Sequence, residues 1–284
     1  MKKQLRFYLS ALLFLAVCGL VKVVYSYDLL LMLPSILAGK KNRQSLNDTG
    51  ITWSGNYMSG NNTACVASTA PNGDNAVAAQ DCSHGRDVGH YDNSDGHAGF
   101  SFTKLGSNGQ PLADQNADYA TTPWECVKDN VTGLIWEVKT DDNGLHNKDD
   151  KYTWYNTEST SNGGYDGYAD QGGDTCSGYN SGEPSTYCNT QDYVSRVNDA
   201  GWCGASDWRM PTRKELESLV AYDLNNPSID SNYFPNAVSS YAWSGSPHAY
   251  YTTKAWSVSF DSGFSSYFLF RSSSYAVRLV RGGQ

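Results

Sequence analysis

Positive charge is in short supply. The 284-residue chain carries 21 Lys and Arg against 29 Asp and Glu, a formal charge of −8, whereas a nucleic-acid binder needs a clustered basic excess to neutralise phosphates. Charged residues of both signs amount to 18% of the chain and hydrophobic ones to 39%, a balance that excludes a solvated disordered polymer. No Gly-X-Y repeat is present, so no triple-helical stalk is encoded. There is no Cys-x-x-Cys pair to start a zinc module, no Gly-x-Ser-x-Gly elbow and only 5 His, which leaves nucleophilic catalysis without its usual parts. The carboxylates are plentiful, but their spacing singles out no facing pair for glycoside hydrolysis. A non-catalytic, loop-rich globular protein is what remains.

The chain opens on Lys2, Lys3 and Arg6, followed by an uncharged apolar run at residues 7–21. That run falls short of the ~20 residues that cross a bilayer, although the apolar stretch at 29–37 prolongs it past Lys22 and Asp28. Residues 1–26 therefore read as an export signal or membrane anchor. Leu15-Ala16-Val17-Cys18 followed by Gly19 is similar to a lipoprotein signal, except that Val stands before the Cys. Beyond Cys18 lie Cys65, Cys82, Cys126, Cys176, Cys188 and Cys203, an even set in a chain bound for an oxidising compartment, and disulfides are the expected use. Spacing does not choose the connectivity. The nested pairing Cys65–Cys82, Cys126–Cys203 and Cys176–Cys188 is the expectation.

Residues 27–120 are rich in Gly, Asn, Asp and Ser and read as a loop-rich extension packed on a main domain at 121–284. In that domain Gly133-Leu134-Ile135-Trp136-Glu137-Val138 follows a turn and predicts a strand. A long acidic insertion comes next, at 141–188, with Cys176 and Cys188 placed to staple it. Two helices follow. Asn189 or Thr190 caps the first, with Tyr193, Val194 and Val197 on one face and Gly201 at its stop. Thr212 and Glu215 form a capping box for the second, whose apolar stripe is Leu216, Leu219 and Val220. Arg209 and Arg213 flank that helix start, where pairing with Asp207 or Glu217 would fix the corner. From Trp256 the period changes to two, and strands are expected at 256–260, 264–270 and 275–281. Sheet and helices are thus segregated, giving an α+β class.

The stretches Asn130-Val131-Thr132-Gly133-Leu134-Ile135-Trp136, Asp207-Trp208-Arg209-Met210-Pro211-Thr212, Ala255-Trp256-Ser257-Val258-Ser259-Phe260 and Val277-Arg278-Leu279-Val280-Arg281 resemble, in this order, the C-terminal domain of the Legionella collagen-like adhesin. The resemblance covers about residues 121–284. It implies a C-type-lectin-like fold of small antiparallel sheets, two helices and long loops, stapled by disulfides. It also implies an exported surface module: the adhesin's own domain binds sulfated polysaccharides and forms trimers.

Within that domain the segment from Tyr241 to Tyr275 interleaves aromatics with Ser and a few cations, a mixture suited to recognition because Tyr supplies rigid amphipathic area at low entropy cost. Trp243, His248, Tyr250, Tyr251, Lys254, Tyr267, Arg271 and Tyr275 are the expected ligand-binding residues, with Arg278 and Arg281 available for acidic sugar groups. Trp136, Trp208 and Trp256 sit in apolar patterns and are expected in the core. No cofactor is expected. Calcium is the one that the acidic loops leave open, at Asp141, Asp142, Asn143, Asp149 and Asp150 and at Asp166, Asp170 and Asp174, though none has EF-hand spacing. His84, His90 and His97 with Cys82 have no metal-site spacing. The expected partner is a glycan or a cell-surface protein, with no nucleic acid and membrane contact through the N-terminal segment alone. Oligomeric state is not legible. A structural protein of the envelope is the alternative function.

Overall fold

The computed structural model describes residues 47–56, 60–62, 80–81, 85–86, 94–170 and 174–282. The export segment, Cys18, His84, His90 and the expected Cys65–Cys82 pair lie outside them. Among the described residues no helix is long and apolar enough to cross a membrane.

A short hairpin, β1 (Ser54–Asn56) and β2 (Gly60–Asn62), precedes the main sheets. The first sheet runs in the order β3 (Phe102–Leu105), β4 (Cys126–Asp129), β5 (Ile135–Glu137), β9 (Val280–Arg281), antiparallel throughout. Its edge strand β3 comes from the loop-rich extension, and Phe100 and Phe102 enter the core beside Trp124 and Phe234. The β4–β5 turn follows from its sequence. The Asp129 carboxylate accepts from the Val131 and Thr132 amides at 2.9 and 3.1 Å, and Gly133 adopts the left-handed φ of 76° that closes the turn.

Helix α1 (Thr190–Ala200) starts at Asn189, whose side chain accepts from the Asp192 amide, and stops at Gly201 in the left-handed conformation. Tyr193 and Val197 bury the inner face, as their spacing predicts. Helix α2 (Arg213–Glu217) carries the expected reciprocal capping box of Thr212 and Glu215 but is shorter than its apolar stripe implies. Ser218 ends it, donating its hydroxyl to the Glu215 carbonyl at 2.6 Å, so Leu219 and Val220 reach the core from a turn. The corner ion pairs are Arg209–Glu215 at 2.7 Å, Arg213–Glu217 at 3.3 Å and Arg281–Asp207 at 2.5 Å.

The second sheet is β6 (Tyr241–Pro247), β7 (Ala255–Ser259), β8 (Ser265–Ser266). The strands expected at 264–270 and 275–281 shrink to β8 and β9, because the flanking residues make only isolated bridges such as Lys254↔Phe270 and Tyr152↔Tyr275. Small antiparallel sheets with two helices make an α+β fold.

The sheets are tied by groups whose polar ends are satisfied inside. The Trp154 and Trp243 indoles donate across to the Ser244 and Tyr152 carbonyls, each at 2.9 Å. Disulfides join Cys126 to Cys203 and Cys176 to Cys188, two of the expected pairs; they agree with an oxidising compartment. At the centre, Glu137 is fully buried and accepts from Lys139 Nζ and His146 Nδ1 at 2.9 Å each, from the Leu279 amide at 2.8 Å and from the Tyr193 hydroxyl. Burial alone raises the Glu137 carboxyl, but the neighbouring Lys139, His146 and Tyr193 outweigh it and hold the group well below its ordinary value.

Candidate functional site

The turn joining β6 to β7 is built around His248. Its Nδ1 accepts from the Tyr250 and Tyr251 amides at 3.1 and 3.0 Å, and its own amide donates to the Lys254 carbonyl at 3.2 Å. The imidazole becomes the hub of an aromatic cluster, with ring centroids 5.2 Å from Tyr251, 5.1 Å from Tyr267 and 5.5 Å from Trp256. Tyr267 continues to Phe268 at 4.1 Å and Tyr251 to Tyr250 at 4.8 Å.

Two cations stand on these rings. Lys254 Nζ lies 4.9, 5.1 and 5.7 Å from the Tyr251, Phe270 and Phe268 centroids, and the Arg213 guanidinium stacks 4.4 Å over Trp256. Much of this surface is open to solvent: Tyr250 is 78% exposed, Phe268 63%, Phe270 54% and Tyr251 46%. An uncovered aromatic group of this extent is the usual mark of a contact surface. Chemically it offers flat apolar faces beside positive charge, and no nucleophile and base are arranged among them.

Of the expected ligand residues, the structure brings His248, Tyr250, Tyr251, Lys254 and Tyr267 together and separates the other three. Trp243 is fully buried and donates its indole N–H inward, so it offers nothing to a ligand at the surface. Arg271 is also fully buried. Its guanidinium lies 3.9 Å over Trp154 and donates to the Lys254 carbonyl at 3.2 Å and to the Tyr165 carbonyl, and burial pushes its pKa down to about 10. Arg271 thus holds the Lys254 backbone from below. Tyr275 packs on Tyr241 and Trp243, away from the His248 hub. Arg278 is buried, donating to the Glu137 carbonyl at 2.6 Å, and Arg281 is paired with Asp207, so neither is offered to acidic sugars.

The expected ligand set left out Trp256, Phe268, Phe270 and Arg213. Trp136 and Trp208 are core residues as expected, but Trp256 is half-buried and belongs to the open cluster. It lies opposite a bulge, where residues 244–246 of β6 face the single β7 residue between Ala255 and Ser257. Period two treats Trp256 as equivalent to Val258; a bulge in the partner strand leaves no sequence signal in β7 itself.

Except for the exposed Asp174, the calcium-candidate carboxylates of the acidic loops have internal partners. Lys148 bridges Asp141 and Asp149 at 3.3 and 2.7 Å. Asp142 holds the Thr140 hydroxyl and Asp150 accepts from the Ser177 amide. Asp166 accepts from Asn162 and Asp170 from Tyr179. Among the described residues no three His, Cys, Asp or Glu side chains form a metal-holding group. His97 is bound to Asp223 at 2.7 Å.

A cavity of about 890 Å³ lies apart from the aromatic cluster, between the 94–119 segment and the loop at 224–235. Trp124 and Tyr233 close its floor, the Trp124 indole donating to the Tyr233 carbonyl at 2.9 Å. Lys104 is held there by the Ala117 carbonyl at 3.0 Å and by the Trp124 ring at 4.2 Å.

The family model of the Lcl C-terminal domain, the family that the four sequence motifs resemble, matches residues 125–281, more than half of the chain. Neither a curated protein nor a solved structure matches the chain.

Proposed function

The chain belongs to the Lcl C-terminal domain family, and on that premise we propose that it is a non-catalytic, adhesin-like binding module that works outside the cytoplasm and docks an acidic glycan on the cluster around His248. The carrying observation is the exposed aromatic surface of Tyr250, Tyr251, Phe268 and Phe270 with Lys254 among its rings. Flat aromatic faces receive the C–H faces of sugar rings, and Lys254 supplies charge for carboxylate or sulfate groups, while Arg213, paired with Glu217, holds the Trp256 face in place. The small antiparallel sheets, two helices and long stapled loops support a C-type-lectin-like arrangement, in which loops at one end of the fold carry the ligand. Phe268 and Phe270 have no polar tip, and they favour a protein partner in the cell envelope as the second reading.

The full chain is tested against a glycan array holding sulfated, carboxylated and neutral members. Binding to acidic members that weakens with added salt is the expected result. Replacing Tyr251 and Lys254 together by alanine is expected to lower that affinity at least about tenfold, ~1.4 kcal/mol. A blank array sinks the glycan reading, and binding indifferent to both substitutions sinks the site.

A further inference from the structure

The cavity between the 94–119 segment and the 224–235 loop is not used by the aromatic cluster, and its chemistry differs. From this geometry we infer a second ligand site, one that takes a short uncharged saccharide. Its volume, about 890 Å³, falls in the range of small-molecule sites, ~300–1,000 Å³. Its base is already organised. Trp124, Tyr233 and the Lys104 ammonium are locked to one another, with Lys104 Nζ 4.2 Å from one ring and 5.3 Å from the other, and the Tyr119 ring meets Trp124 edge-on at 4.8 Å. A floor that needs no reordering lowers the entropy cost of binding.

The upper wall carries Asn116, Asp118, Ser231 and Asn232, all exposed. Amide and hydroxyl groups both donate and accept, which is what the hydroxyls of a sugar require of their partners. The charges in the lining are already engaged. Lys104 is held by the Ala117 carbonyl, His97 is paired with Asp223 at 2.7 Å, and the Asp230 carboxylate accepts from the His97 and Asn232 amides at 3.0 and 2.9 Å. Lys104 is directed to a carbonyl and two rings, so a polyanion gains no available cation there. A neutral polyhydroxyl ligand satisfies the amides and loses nothing to the carboxylates, while the Trp124 and Tyr233 rings, buried beneath, fix the walls rather than stack on the ligand.

The assay uses the full chain with maltotriose, cellotriose and triacetylchitotriose as neutral probes and a heparin-derived tetrasaccharide as the acidic one, read by calorimetry and by the indole NMR signal of Trp124, assigned through Trp124→Phe. The expected result is that a neutral probe shifts the Trp124 signal and that its affinity falls at least about tenfold in Ser231→Trp, which fills the cavity, and in Asn232→Ala. The same affinity stays unchanged when Tyr251 and Lys254 are replaced by alanine, which separates this site from the aromatic cluster. No shift with any neutral probe, or a shift that survives both cavity substitutions, overturns the assignment.

Discussion

Glu137 shows how much one side chain carries. It is a fully buried carboxylate whose partners come from the residues just after β5, the acidic insertion, α1 and the approach to β9. Removing one member of a buried charged set leaves the others unpaired, a cost of about 3–5 kcal/mol. Glu137→Gln is expected to lose that much in urea unfolding. The pH dependence has a definite sign. Because the folded carboxyl titrates below its ordinary value of 4.5, its contribution is complete above that value and is lost as the pH falls from there towards the depressed folded value. Glu137→Gln should therefore flatten the acid limb of a stability profile, and an unchanged slope below the ordinary carboxylate range would exclude the assignment. Residue-scale facts of this kind were the least legible in the sequence. Arg271 has the composition of a ligand contact, yet it is held in the interior by stacking on Trp154 and by carbonyl acceptors at Nε and Nη1, with Nη2 left unpartnered. Nothing in local spacing announces partners more than a hundred positions away, as Tyr165 is from Arg271.

At the scale of elements, signals confined to a few neighbouring residues were read correctly. The Asn189 cap, the Gly201 stop and the Thr212–Glu215 capping box are each complete within one turn of chain. Strand lengths were overstated because pairing partners are distant. Phe264, Phe268 and Phe270 alternate as a strand would, but their rings are exposed and β8 ends at Ser266. Helix α2 is the element on which the site depends most directly, since Arg213 at its first position stacks on Trp256. Thr212→Ala removes the hydroxyl that accepts from the Glu215 amide and is expected to cost about 1 kcal/mol. The denaturation midpoint should fall with its slope unchanged, and tryptophan emission should shift as Arg213 loses its place over Trp256. A loss confined to emission, with the midpoint unmoved, would show that the cap does not hold the helix.

At the scale of the whole molecule, the two disulfides among the described residues close loops of very different length. Cys126 and Cys203 are 77 positions apart and Cys176 and Cys188 only 12. On a chain-entropy basis the long closure contributes about 4.5 kcal/mol and the short one about 3. Replacing Cys126 and Cys203 by alanine should thus lower stability more than replacing Cys176 and Cys188, read by urea unfolding under oxidising conditions. The reverse order would mean that the acidic insertion, rather than the sheet, limits stability. The α+β class and the family were legible from patterns and motifs, because both are written in contiguous stretches. The cavity was not, since its walls come from segments separated by more than a hundred residues.

One feature of the first sheet reaches beyond the single chain. The family match begins at Glu125, but β3, upstream of it, occupies the hydrogen-bonding side of β4 from Phe102↔Asp129 to Leu105↔Cys126. A fragment trimmed to the homologous region would bare that row of amides and carbonyls and invite strand-to-strand self-association. The stretch ahead of the shared domain thus guards against clumping, because the outer side of β3 is itself met by the Asp95 carbonyl, the Leu112 amide and the Gln115 side chain.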